Sequence, residues 1–169
     1  MKQGLFHGNG KYKQPSDGSE YTGNWFKNEM RGEGVKKLKW GQIEVGGNFI
    51  NGQVIGKGYK KWRRTFNKTI TVNNIQRMVK AHEYFIYRGN LEKSQINGYG
   101  EFKWPDGRHY IGNFVNSQMH GEGKMTWHAN NNEAMKIVFK GDFYSNVIQG
   151  TGTLKKGNGD IYKGFFENA

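Results

Sequence analysis

The chain has 169 residues, a length that suits one domain, with 26 glycines, 2 prolines and no cysteine. The absence of thiols excludes disulfides and thiolate metal sites, the low proline count excludes collagen and Pro-rich linkers, and no apolar run is long enough for a signal peptide or a membrane span, which reads as a soluble intracellular protein. A net charge of +12 favours anionic partners, whether acidic protein surfaces, anionic lipid or nucleic acid, without choosing among them.

One pattern recurs along the chain. Residues 5–18 form an opening half repeat: Gly8 and Gly10 precede Tyr12, a second hairpin strand lacking its first. The hairpin at about 19–42 carries Tyr21, Gly23 and Trp25, then Gly32 and Gly34. The next, at about 43–62, carries Val45, Gly47 and Phe49, then Gly56 and Gly58. After an insertion at about 63–83, the hairpin at about 84–107 has Tyr87, Gly89 and Leu91, then Gly98 and Gly100, followed by Phe102 and Trp104. The hairpin at about 108–135 has Tyr110, Gly112 and Phe114, then Gly121 and Gly123, followed by Met125 and Trp127. That at about 136–159 has Phe139, Gly141 and Phe143, then Gly150 and Gly152 with Leu154. A closing half repeat, 160–169, offers Tyr162 and Gly164. In every full copy the Gly-x-Gly begins nine residues after the first glycine, so the repeat, not any single motif, fixes the fold.

The period of two places Tyr21, Gly23 and Trp25 on one side of a strand, with Thr22 and Asn24 on the other. Turns fall at Asn28, Asn51-Gly52, Ser94, Ser117 and Asn146; Asn-Gly suits a two-residue hairpin best, and serine accepts positive φ less readily. Strand glycines are kept where another group must come close, so a ring from the neighbouring hairpin is expected over each. Thin hairpins of this kind gain stability by stacking in a row. In the insertion, "TFNKTITV" alternates like a strand, whereas "NNIQRMVKAHE" puts Ile75, Met78 and Val79 at helical spacing behind Asn74, so a lengthened hairpin and a short helix both stay open. "HANNNEAM", from His128 to Met135, is expected to be a protruding polar loop.

The pattern Tyr-x-Gly-x-Trp-x-x-Gly-x-x-x-Gly-x-Gly resembles the MORN repeat (membrane occupation and recognition nexus). Asp17-Gly18 and Asp106-Gly107 sit where that family places Asp-Gly, and Gly159-Asp160 is a near miss. Leu91 and Phe143 replace the tryptophan, Val45 replaces the tyrosine, and only Gly52 keeps the turn glycine. The resemblance implies an all-β fold of tandem antiparallel hairpins in one elongated, twisted open sheet with a groove; about twelve strands would span roughly 60 Å. It also implies a non-catalytic scaffold or adaptor in the cytoplasm, of the kind found in cytoskeletal assemblies, ciliary axonemes and radial spoke heads among them. The alternative it implies is an adaptor for anionic phospholipid at the cytoplasmic membrane face.

No arrangement selects an enzyme. His7, His82, His109, His120 and His128 have no zinc-ligand spacing, and the resemblance gives His120 a structural turn position. Gly123-Lys124 fails as a phosphate loop because Gln118 and Met125 stand where glycine and a hydroxyl are needed. No metal or cofactor is expected. The groove is expected to meet protein partners through Tyr21, Trp25, Phe49, Tyr87, Trp104, Tyr110, Phe114, Trp127, Phe143 and Tyr162. "KGYKKWRR" supplies an anion-binding candidate in Lys57, Lys60, Lys61, Arg63 and Arg64, against the plainer reading of a solvated basic strand; nucleic acid is the least favoured partner. The two half repeats leave strand edges that can recruit a second copy or another chain.

Overall fold

Period-two alternation becomes twelve strands among the residues described, 4–127 and 135–169, in this computed structural model. They are β1 (Gly8–Lys13), β2 (Glu20–Phe26), β3 (Glu29–Leu38), β4 (Ile43–Ile50), β5 (Gln53–Val72) and β6 (Ile75–Glu92). The second half comprises β7 (Gln95–Lys103), β8 (His109–Val115), β9 (Gln118–Trp127), β10 (Ile137–Tyr144), β11 (Val147–Lys156) and β12 (Ile161–Phe166). Each pairs antiparallel with its neighbours in chain order, giving one open sheet with β1 and β12 at its edges. The expected loop at 128–135 lies outside the described residues, apart from Met135.

The core occupies one face of this sheet. Tyr21, Tyr110 and Phe139 pack edge-on against the third-position ring of their own hairpin and that of the next, and Tyr87, whose own third position is Leu91, packs edge-on against Phe114 at 5.3 Å. Tyr21 meets Trp25 and Phe49, each at 5.0 Å; Tyr110 meets Phe114 at 5.1 Å and Phe143 at 5.0 Å; Phe139 meets Phe143 at 5.4 Å and Phe166 at 4.9 Å. Edge-to-face geometry suits the ring quadrupoles. Every hairpin therefore completes the burial of the one before, and Tyr87 and Tyr110 reach 0% exposure in a single-layer sheet.

The repeat glycines serve different ends. Gly100, the second of its Gly-x-Gly, lies beneath the Tyr87 ring, and a Cβ there would fall 2.6 Å from Tyr87 Cζ. That ring comes from the same hairpin, not the neighbouring one, because a tyrosine two residues before Gly89 curls over the glycine pair and donates from its hydroxyl to Asn90 O at 2.8 Å. Trp25, which hydrogen-bonds Gly10 O, Trp40 over Gly18 and Leu91 over Gly58 are places where a neighbouring hairpin does supply cover. Gly98, the first of the pair, has φ +86 at a break in register between Leu91–Ile96 and Gly89–Gly100. A bulge with positive φ favours glycine and sharpens the local twist.

The tight turns share one conformation, including those built from serine. Both central residues have positive φ at Lys27-Asn28, Asn51-Gly52, Asn73-Asn74, Lys93-Ser94, Asn116-Ser117 and Ser145-Asn146. The second turn residue of each repeat hairpin also clasps the preceding hairpin. Ser94 N donates to Val54 O at 2.9 Å while Ser94 Oγ accepts from Val54 N at 2.9 Å; Asn146 makes the same reciprocal pair with Met119. The clasp offsets the strain of serine at positive φ. Asn158-Gly159, rather than Gly159-Asp160, is the third counterpart of Asp-Gly: Asp160 N bonds Asn158 Oδ1 as Ser19 N bonds Asp17 and Arg108 N bonds Asp106.

Residues 63–83 form a lengthened hairpin, so the helical alternative is overturned. Strand β5 pairs with β6 continuously from Gly56–Leu91 to Val72–Ile75 around Asn73-Asn74. Thr65, Thr69, Ile70, Thr71 and Val72 are β-branched and favour the pleated ribbon, while Met78 points away from Ile75 and Val79, which the helical spacing would have grouped.

Candidate functional site

Between the last rungs of β4 and β5 and the strands β7–β9, the ring-bearing face opens into a groove of about 640 Å³. Its aromatic wall is Trp62, Phe102 and Trp104. Trp62 stacks on Phe85 at 5.5 Å and 5°, meets Phe102 edge-on at 5.3 Å, and Phe102 meets Trp104 at 4.2 Å. Ile43, Ile96, Phe114 and Met119 add apolar lining.

Two cations border it. Arg108 lies over Trp104 at 5.1 Å and also pairs with Asp106 at 2.8 Å. Lys60 sits opposite Tyr87 on the paired strand, which puts its side chain on the ring face. Burial pulls the Lys60 ammonium below the usual lysine range, and no carboxylate among the described residues pairs with it. An unpaired, half-buried ammonium beside tryptophan faces invites a carboxylate.

Several expected groove residues are sealed in the core instead. Tyr21, Phe49, Tyr87, Tyr110, Phe114 and Phe143 are buried, so their rings hold hairpin to hairpin and only the Phe114 edge lines the opening. Trp25, Trp104 and Trp127 remain partly open, and Tyr162 is 53% exposed on β12. Of these, Trp104 enters the groove. Trp62 and Ile43 join it through strand pairing, and Arg108 through the turn after Trp104, where Trp104 N donates to Arg108 O at 2.9 Å; the sequence signal for Trp62 is its position two residues after Lys60, on the face of Tyr87.

The basic run divides between the faces. Lys60, Trp62 and Arg64 lie on the ring face, with Arg64 held by Glu83; Lys57, Tyr59, Lys61 and Arg63 lie on the other. Lys61 sits 4.4 Å over the Tyr84 ring. The Tyr59 ring covers Gly46 and its hydroxyl donates to Glu44 Oε1 at 2.8 Å; burial, reinforced by Glu44, pushes this phenol up to about 12. Burial likewise pushes Tyr87 and Tyr110 up to about 12, so all three remain neutral donors at physiological pH.

Among the described residues no group of three or more His, Cys, Asp or Glu is placed to hold a metal ion, and no helix is long and apolar enough to cross a membrane. Comparison with protein families finds the MORN repeat, matched at residues 1–19, 21–43, 87–107, 110–131 and 139–161. The match leaves out residues 44–86, which hold the Val45 hairpin and the extension of β5 and β6. No curated protein matches the chain.

Proposed function

Because the chain belongs to the MORN repeat family, we propose that it is a non-catalytic scaffold that binds other proteins, with the Trp62–Trp104 groove as the contact surface. The observation that carries this reading is the open aromatic wall with an unpaired Lys60 at its border, on a face where Tyr21, Phe49, Tyr87, Tyr110 and Phe143 are closed. Rings supply large contact area at small entropic cost, and Lys60 and Arg108 favour a segment bearing carboxylates. A cytoplasmic cytoskeletal assembly, such as a ciliary axoneme with its radial spokes, is the setting proposed from the repeat architecture. Strand edges β1 and β12 are proposed as secondary contacts, for a second copy or another chain.

The test is affinity purification from the native cell with the intact chain, Trp104→Ala and Lys60→Glu. Specific proteins retained by the intact chain and lost from both variants support the groove. Retention unchanged in both variants overturns it.

A second reading, binding of anionic phospholipid, is favoured by the net charge of +12 and by Lys57 and Lys61 on the opposite face. Salt-sensitive retention on anionic vesicles, lost in Lys57→Glu with Lys61→Glu, would support it. Absence of retention at low salt removes it.

A further inference from the structure

The long strands β5 and β6 outrun their neighbours. Strand β4 pairs with β5 no further than Trp62, and β7 pairs with β6 from Ile86 onward. Beyond them, the rungs from Arg63–Tyr84 to Val72–Ile75 form an arm whose two strands pair only with each other past its base, where Arg63 N donates to Gln42 O at 2.8 Å. At ~3.3 Å per residue, this arm is roughly 33 Å long.

Alternation gives the arm two unlike faces. On the face continuous with Trp62 and Phe85 lie Phe66, Ile70, Val72, Ile75, Val79 and Ala81, with Lys68 on β5 and Arg77 on β6 set among them. On the other face the side chains are polar, Thr65, Thr69, Thr71, Gln76 and Lys80 among them, apart from Met78. Val72 and Ile75 remain 47% and 56% exposed. An isolated two-stranded hairpin is marginal in water, and a continuous apolar strip left open marks an interaction surface. The only acid within residues 63–83, Glu83, is taken by Arg64, while Lys68 and Arg77 pair with no carboxylate among the described residues.

We propose that this arm is a docking strip for an acidic amphipathic helix of a partner protein. Two strands about 4.8 Å apart present a strip about as wide as one helix, and about 22 helical residues would cover its length. Lys68 and Arg77 stand on opposite strands, so one cation meets carboxylates on each side of the helix's apolar stripe. A membrane is a poorer occupant, because the Val72–Ile75 end rung is capped by Asn73-Asn74, and the apolar residues continue along one face back to Phe66 and Ala81, with Lys68 and Arg77 among them, instead of gathering at the end. Nucleic acid is poorer too, because Phe66 is the one ring on this strip and single strands bind by successive stacking. A second copy would bring the same basic strip against this one. The surface lies in the segment outside the matched repeats and does not rest on the groove reading.

The experiment uses the full chain and a synthetic helical peptide of about 22 residues, with a leucine stripe flanked by glutamates. Its controls are a twin with lysines for the glutamates, phosphatidylserine vesicles and an oligothymidine. Fluorescence anisotropy is expected to show the glutamate peptide binding at least about tenfold tighter than its twin, and tighter by about tenfold or more than in Lys68→Glu with Arg77→Glu. Lys57→Glu with Lys80→Glu makes the same charge change on the opposite face and is expected to weaken binding less than about threefold. Trp104→Ala is expected to leave it unchanged. Lys68→Gln with Arg77→Gln should also weaken binding while the β-sheet circular dichroism stays native, which separates lost docking from lost folding. The proposal is overturned if the two peptides bind alike, if both charge-reversal pairs weaken binding equally, or if Trp104→Ala abolishes it. It is equally overturned if only vesicles or the oligonucleotide bind in a manner that depends on Lys68 and Arg77.

Discussion

Replacing Gly112 with alanine tests the central packing claim. A Cβ at Gly112 would fall 2.6 Å from Tyr110 Cζ and 2.7 Å from the Gly123 Cα on the paired strand. Backbone cannot yield as a flexible side chain can, and the Tyr110 ring has no free volume to enter, since Phe114 and Phe143 already flank it. Overpacking of a closed site costs about 1–3 kcal/mol, and displacing the ring also forfeits the Tyr110 hydroxyl bond to Asn113 O, worth about 1 kcal/mol. A loss of about 3 kcal/mol is therefore expected, or roughly 6–12 °C in melting temperature. Gly164 holds the same repeat position on β12, where the nearest atoms belong to Tyr162, an exposed ring free to swing outward. Gly164→Ala should cost less than about 1 kcal/mol. Urea denaturation followed by circular dichroism measures both. Equal costs, or a cost below about 1 kcal/mol for Gly112→Ala, would refute the view that closed rings over paired glycines hold the row together.

Three further outcomes follow from the same geometry. Ser94→Ala removes the hydroxyl that accepts from Val54 N but keeps a side chain at φ +63, so it should cost about 1 kcal/mol, whereas Ser94→Gly should come close to wild type in the same denaturation assay. Lys60→Met removes an unpaired ammonium whose pKa burial has lowered; it is expected to stabilise the protein by about 0.5–1 kcal/mol at neutral pH while weakening partner retention. The phenols of Tyr59, Tyr87 and Tyr110 stand at about 12 when folded, above an unfolded value near 10, so their contribution is fully present below about pH 10 and is lost as pH rises toward 12. Phenolate absorbance and denaturation midpoints measured across that window should move together.

The strand faces were legible because alternation at Tyr21, Gly23 and Trp25, repeated at fixed offsets, admits only a pleated reading. Less legible was which ring covers which glycine. Sequence spacing gives the face but not the bulge between Gly112 and Phe114, where a local change of register accompanies the close approach of the ring to its own hairpin. Serine at positive φ looked unfavourable from propensity alone, since the clasp that compensates it joins Ser94 to Val54 across 40 residues. The Ile75, Met78 and Val79 spacing fitted a helix as well as the period of two fitted a strand; pairing along the whole of β5 decided it. The groove was legible at Trp104 and not at Ile43, which meets the wall only through strand order, nor at Arg108, which the turn after Asp106-Gly107 folds back over Trp104 at 5.1 Å.

One face of one sheet has to supply both a core and a contact surface, and the rung decides which role a ring takes. Rings at the start of each first strand lie over glycine and are closed by the following hairpin, as at Tyr87 and Tyr110. Rings beyond the Gly-x-Gly lie at the same end of the strands, since Phe102 pairs with Tyr87 and is itself buried 6.4 Å from Phe114; only further out, past that rung, do Trp104 and Trp62 stay partly open. Folding and recognition therefore rest on different residues of the same repeat. Truncating Trp104 should remove binding with little loss of stability, whereas truncating Tyr110 should unfold the row before any question of binding arises.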